Sequence, residues 1–274
     1  MTGPGGRGGR SRAFVPGRPL AIPSRHPVPD LFSATRVLAI QPHYDDNDIA
    51  AGGTIAALID AGIEVVYCTV TDDLVGVVDA SLEPSAAAAA LRGDQERAGA
   101  IIGVARQIRL GHPDAGPWDR FSVRADLLAA IREVRPDGIL TADPFLPYEA
   151  HRDHTETGSV AAEAAILFGL PKLRSSRPEV DAAWEREGWP ELRYVGFYYT
   201  ATPNTLVDID ATWTLKAAAA SEYHAQFEPE ELPALVAALD ARAQAVASLA
   251  DGQVGCRRAE GLTVLHPGAL HGGA

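Results

Sequence analysis

The sequence predicts an α/β fold: a Rossmann-like, mostly parallel sheet with helices on both faces and a site at the carboxyl ends of the strands. Short apolar runs alternate with helix-period stretches between residues 36 and 143, and parallel strands need crossovers of that kind. The polar stretch "HYDDND" (43–48) follows the first apolar run directly, where open parallel sheets gather functional groups. A second polar cluster, "HRDHTETG" (151–158), follows a later strand candidate.

Taken in order, "RVLAIQ" (36–41) reads as a short apolar strand, "GTIAALIDAG" (53–62) as a helix ending on Gly62, and "IEVVYCTV" (63–70) as a β-branched strand. "AAAAALRGDQERAGAIIG" (86–103) is helical by its alanine content and closes on Gly103 as a C-cap. Then come "RQIRL" (106–110), the amphipathic helix "SVRADLLAAIREVR" (122–135) and the strand "DGILTAD" (137–143). A helix over 154–169, a Pro, Arg and Lys-containing connection and the aromatic strand "RYVGFYYT" (193–200) follow. Two helical stretches, about 211–226 and 229–250, complete the order, with Pro233 in the first turn of the second.

Residues 1–30 are rich in Gly, Pro and Arg without periodicity and bury too little to offset ordering entropy. They are expected to form a flexible arm, and residues 31–274 a single domain, since no linker composition interrupts them. A net charge of −12 argues against a nucleic-acid partner, whose phosphates attract clustered Lys and Arg. The chain has only two cysteines, Cys68 and Cys256, too few for a disulfide framework or a thiolate zinc site. No run approaches the roughly 18 apolar residues that span a bilayer. A cytoplasmic protein without a membrane partner is expected.

The first polar cluster presents His43, Asp45, Asp46 and Asp48 from a loop on a rigid strand, where adjacent carboxylates repel unless a cation or a proton separates them. The second holds His151 and His154 at a loop-to-helix junction. Two crossover loops rising from neighbouring strand ends can join His43, one Asp and one further His as two imidazoles and a carboxylate. That set suits catalytic zinc with a position left open for water, and equally iron(II). One of Asp45 and Asp46 is expected to bind metal while its neighbour stays free as a base. A dinucleotide-binding reading of Gly52 and Gly53 is poor, because the G-x-G-x-x-G spacing is absent and carboxylates repel a pyrophosphate.

"PHYDDNDIAAGGTI" (42–55) and "HRDHTETG" resemble the "HPDDE…GGT" and "HPDH…G" signatures of the LmbE-like, PIG-L-type de-N-acetylases. "VDI" (207–209), Lys216, "HAQF" (224–227) and "AEG" (259–261) fall where that family has similar residues. "DPFLPYEAHRDH" and "FYYTATPNTLVDI" look most like its diacetylchitobiose deacetylase branch, which acts on N-acetylglucosamine sugars. The resemblance implies zinc ligands His43, Asp46 and His154, the general base Asp45, and His151 as oxyanion support or acid with Asp153 orienting it. It places Arg92 and Asp114 on sugar hydroxyls and implies a homo-oligomer, with a hexamer as the candidate form. Tyr44 and Arg152 replace prolines of the pattern, Asn47 replaces a Glu, and Asp73 stands where "TDG" has a glycine.

The expected activity is therefore metal-dependent removal of an N-acetyl group from an N-acetylglucosamine-type sugar, a chitobiose unit or a natural-product aminosugar. In that chemistry metal-activated water attacks the acetamide, Asp45 takes its proton, and a protonated His151 supports the oxyanion. A mycothiol-conjugate-type amidase of the same family, with a larger acyl pocket, is the alternative, and a non-catalytic sugar-binding module the third. Among the other histidines, His112 reads as a loop residue, His26, His266 and His271 as solvated, and His224 as a helical packing or subunit-contact residue. The strand 194–199 and the C-terminal helices are candidate interface elements by apolar content.

Overall fold

The computed structural model describes residues 26–249 and 255–271; most of the expected arm lies outside them. Seven strands, β1 (Arg36–Gln41), β2 (Glu64–Thr71), β3 (Arg106–His112), β4 (Gly138–Ala142), β5 (Tyr194–Tyr198), β6 (Thr205–Asp208) and β7 (Ala259–Leu265), form one sheet in the order β3-β2-β1-β4-β5-β7-β6. The pairings from β3 across to β5 are parallel. β7 is antiparallel to both β5 and β6.

Alternate residues of each central strand feed two separate cores. Val37, Ala39, Val65 and Tyr67 pack with α1 (Asp46–Asp60) and α2 (Pro84–Ile102) on one face. Leu38, Ile40, Val66 and Cys68 pack with α3 (Arg120–Val134) and α4 (Arg152–Leu167) on the other. The period-two split across a doubly covered sheet is the α/β class expected from the sequence. Leu58, Leu91, Leu127 and Val160 are fully buried anchors of these four helices, each contributing about 1.5–3 kcal/mol of apolar burial.

Several boundaries differ from the sequence reading. α1 starts at Asp46, not at Gly53, so the acidic cluster is its first turn. Asp46 and Asp48 there complement the positive end of the helix dipole. Gly53 instead permits a close crossing: a Cβ there would lie 2.8 Å from Ile209. α5 (Pro178–Glu187) occupies what read as a connection, with proline at its start. α6 (Trp213–Ala220) stops short of residue 226 and the chain turns before α7 (Leu232–Ser248). β6 and β7 were not anticipated. β5 lies inside the sheet with every residue buried, which removes it as an interface element. Among the described residues no helix is long and apolar enough to cross a membrane.

Candidate active site

A cavity of about 360 Å³ opens where the carboxyl ends of β1 to β5 converge, and each strand sends residues into it. His43, Asp45 and Asp46 come from the β1–α1 junction, and Asp73 and Gly76 from the loop after β2. Asp114 follows β3, His151 and His154 follow β4, and Tyr199 follows β5. Gln226, in the turn between α6 and α7, closes the remaining side. Asp73, Ala115 and Tyr199, all lining this cavity, have left-handed backbone with φ of 58°, 49° and 56°. Strained backbone of this kind, costing about 1–3 kcal/mol per residue, concentrates at functional sites.

His43, Asp46 and His154 offer ligand atoms within 4.8 Å of one another. Asp46 Oδ2 accepts from the His43 backbone N–H at 3.0 Å and faces His43 Nδ1 at 3.1 Å, while its Oδ1 lies 3.4 Å from His154 Nε2. His154 Nδ1 is buried without a hydrogen-bond partner, 3.6 Å from Glu149 Oε2. Two imidazoles and one carboxylate with donor atoms this close together fit a divalent cation. The His154 ring is held by parallel stacking on Tyr199, centroids 5.7 Å apart.

The two neighbouring acids are electrostatically distinct. Burial, reinforced by the Asp46 charge, pushes the Asp45 carboxyl up to about 7, although His43 and Gln226 pull it down. Burial opposes ionisation of Asp46 too, but hydrogen bonding to His43 and the His154 and His43 charges overcome it and hold its carboxyl below the usual range. Burial acts to lower His43, yet Asp114, Asp153 and Asp46 outweigh it and raise the imidazole. His151 is lowered by burial and by the charges of His43 and His154, which favours a neutral ring over the protonated one expected from sequence.

The remaining predicted residues divide. Asp114 reaches the cavity, its Oδ2 accepting from Val75 N–H at 2.9 Å and its Oδ1 3.3 Å from His43 Nε2. Asp153 is buried and sits within 4.8 Å of His43 and His151. Its carboxylate accepts from Ala115 N–H (2.8 Å) and Trp118 Nε1 (3.3 Å), so it braces the Asp114 loop and His43. Burial opposes this ionisation, but the His43, Ala115 and Trp118 hydrogen bonds hold Asp153 well below the carboxylate range. Arg92 is exposed on α2 and does not line the cavity. His112 is not a free loop histidine: it ends β3 and its Nε2 meets Asp126 Oδ2 at 2.9 Å. His224 is exposed in a turn rather than packed on a helix. His266 stacks on His26 and accepts from Gly268 N–H, so neither ring is simply solvated.

Sequence reasoning missed Tyr199 and Gln226 as cavity residues. Each sat inside a quoted stretch, "FYYT" and "HAQF", yet neither carries a spacing signal of its own.

A diacetylchitobiose deacetylase of Thermococcus kodakarensis is 37% identical over 198 residues, covering 72% of this chain and 72% of that protein. The chain belongs to the PIG-L family. The family's profile, described as PIG-L: GlcNAc-PI de-N-acetylase, matches residues 38–165. That PIG-L segment contains every cavity residue from His43 to His154 and stops before Tyr199 and Gln226. The structure of the N,N'-diacetylchitobiose deacetylase from Pyrococcus horikoshii, complexed with its inhibitor MPG, superposes with a TM-score of 0.76 at 32% identity, over 88% of this chain and 87% of that one. A 1D-myo-inositol 2-acetamido-2-deoxy-alpha-D-glucopyranoside deacetylase of Rhodococcus erythropolis is 30% identical over 234 residues, 74% of this chain and 72% of that protein.

Proposed function

We propose that this chain is a metal-dependent deacetylase that hydrolyses the acetamide of an N-acetylglucosamine-type sugar. The observation that carries the reading is the His43, Asp46, His154 donor set with Asp45 beside it, in a chain with the relatives above. A zinc ion held by those three residues supplies Lewis acidity and acidifies water, and iron(II) suits the same donors.

The chain's own residues do the rest. Asp45 accepts the proton of the attacking water, a task matched to a carboxyl pushed up to about 7. Gln226 assists by favouring its ionised form. His151, exposed at the cavity mouth, donates a ring N–H to the oxygen where negative charge develops. Removing a donor in such a position costs about 3 kcal/mol of barrier in other acyl-transfer sites. Asp45, protonated in that step, then returns the proton to the departing amine, since a neutral His151 has none to spare. Asp153 holds the Ala115 backbone and His43 in place, and Asp114 meets sugar hydroxyls from the cavity wall. Arg92, exposed on α2 and off the cavity lining, is assigned no sugar contact.

The substrate assignment rests on the deacetylase relatives, whose names specify N-acetylated glucosamine compounds. The amidase alternative requires a larger acyl group and is the secondary reading. A homo-oligomer and a cytoplasmic location complete the proposal; two free thiols fit a reducing compartment.

The test is acetate release from N-acetylglucosamine and di-N-acetylchitobiose by zinc-loaded protein, with Asp45→Asn as control. Turnover lost in that variant supports both the reaction and the base. Zinc binding without acetate from either sugar overturns the chitobiose-type substrate.

A further inference from the structure

Two tyrosines mark the end of β5. Consecutive side chains of an extended chain point to opposite faces, yet Tyr198 and Tyr199 both pack against the core on the α1 and α2 side. Tyr199 does so through a left-handed backbone, φ 56°, which bulky L residues rarely adopt. Its ring lies face to face with the His154 imidazole, the planes 2° from parallel, and edge-on to Tyr198 with centroids 5.3 Å apart. Strain of this kind persists only where the surroundings over-determine it, and here it delivers a flat face to a proposed metal ligand.

That face matters because His154 has little else to orient it. A metal-bound histidine is usually aimed by a hydrogen bond from its second ring nitrogen. His154 Nε2 faces Asp46 and the ligand set, whereas Nδ1 has no hydrogen-bond partner and stands 3.6 Å from Glu149 Oε2, too far for one. The Tyr199 ring in turn has a neighbour on α7: the Arg242 guanidinium carbon lies 5.3 Å from its centroid, a cation–π distance. Tyr199 and Arg242 line a second cavity of about 120 Å³ with Leu239, Ala243 and Val246 of α7. Among the described residues Tyr199 is the one that lines both this cavity and the active-site cavity. The ring therefore has free volume on its α7 side into which to tip away from His154, and Arg242 stands in that volume. Both residues lie beyond the stretch 38–165 matched by the family profile.

We propose that Tyr199, backed by Arg242, is the positioning residue for His154: the stacked ring fixes the imidazole plane and with it the direction of Nε2 toward the metal. The ring face carries this role and the hydroxyl does not. The proposal rests on the metal-dependent reading of the site, and it makes the C-terminal third, through α7, a determinant of metal affinity.

The experiment measures zinc affinity by chelator competition and the visible absorption of the cobalt(II)-substituted protein, alongside kcat and KM for acetate release from di-N-acetylchitobiose. The variants are Tyr199→Phe, Tyr199→Leu, Arg242→Ala and Arg242→Lys. Tyr199→Phe keeps the stacking face, so its zinc affinity is expected to stay within about twofold of wild type, with the cobalt spectrum unchanged. Tyr199→Leu keeps apolar volume without a face to stack, and is expected to bind zinc about 10- to 100-fold more weakly, as the loss of a ligand's orienting partner does. Its cobalt spectrum should shift, and at saturating metal the loss should fall on kcat more than on KM. Arg242→Ala is expected to move the same readouts in the same direction by severalfold, and Arg242→Lys, which keeps a cation at the ring, to restore most of them. Wild-type affinity and spectrum in a folded Tyr199→Leu overturn the proposal, and so does a Tyr199→Phe that loses as much zinc affinity as Tyr199→Leu, because the role then belongs to the hydroxyl. If Tyr199→Leu does not fold, Arg242→Ala, at an exposed position, decides through the same readouts, and its matching wild type in all of them overturns the backing role. Wild type that binds zinc but releases no acetate fails the deacetylase reading, while affinity and spectrum still decide the proposal.

Discussion

Asp45 and Asp46 are neighbours of one residue type, and what separates them is what each touches. Asp46 accepts the His43 N–H and faces two imidazoles, so it is held ionised as a ligand. Asp45 has burial and a neighbouring negative charge, which bring its carboxyl to about 7. As a base it must be unprotonated, and a raised value keeps the proton on until that pH. The kcat/KM of the metal-loaded protein is therefore expected to fall as pH drops through about 7. Asp45→Asn is expected to lower kcat by about 10²- to 10⁴-fold and to abolish that limb. A pH–rate profile of both proteins measures this, and an unchanged acidic limb in the variant assigns it to another group. The sequence alone could say that one acid binds and its neighbour does not, because adjacent residues diverge in direction. Which one binds depends on His154, delivered by the loop after β4, and only the family resemblance carried that assignment. Gln226 and Tyr199 were hidden for the same reason, since their importance lies in where remote chain segments meet.

At the scale of elements, the metal site depends on how closely α4 can approach the end of β4. Gly158 makes the approach possible: a Cβ there would lie 2.2 Å from the Ala142 carbonyl oxygen and 2.9 Å from Pro144 Cδ. Both obstacles belong to the β4 end or the loop after it, which cannot yield as a flexible side chain would. Gly158→Ala is expected to push α4 outward, destabilising the fold by about 1–3 kcal/mol as overpacking does. His154 and the His151 cap travel with the helix, so metal affinity should drop together with stability. Denaturant melts and metal titration of the variant check it; unchanged metal affinity would mean that the loop, not the helix, sets the ligands. The central strands and the Gly103 cap were legible because their hydrophobic runs and capping chemistry are local. The start of α1 was not, because its first two turns are, Ile49 apart, polar or small, and Asp46, Asn47 and Asp48 are buried without an apolar stripe to mark them. β6 and β7 escaped because they owe their pairing to distant partners across the sheet, for which a short run such as Thr205–Asp208 has no periodic signal.

Across the whole molecule, a buried polar web ties the C-terminal third to α1. Asp48 accepts from Tyr67 Oη at 2.5 Å and from Tyr223 Oη, yet burial still pushes its carboxyl up to about 6 against both bonds and the Lys216 charge. A folded-state value above the unfolded one means that the native protein holds this proton more tightly. The stability it contributes is present below about pH 4 and is lost as pH rises through about 6. Wild type should therefore lose more stability than Asp48→Asn between pH 4 and 7, by on the order of 3 kcal/mol. Parallel melts across that range test the sign, and identical slopes would remove Asp48 from the balance. The second part of the web is the Lys216–Glu260 ion pair, with both side chains 5% exposed or less. Lys216 Nζ donates to Ile49 O at 2.7 Å, and Glu260 accepts from the N–H groups of Gly53 (3.1 Å) and Thr54 (2.7 Å). α6 and β7 thus grip the backbone of the helix whose first turn supplies Asp46. Glu260→Gln leaves the ammonium buried without its counter-charge, a loss of about 3–5 kcal/mol for a broken buried pair. Lys216→Met in the same background removes the stranded charge, so the double variant should be less destabilised than the sum of the singles by at least about 1 kcal/mol. Because α1 is then less firmly held, Glu260→Gln should also release metal more readily in a chelator competition. Additive losses, or full metal retention in a destabilised variant, would show that the C-terminal third stabilises the fold without bracing the site.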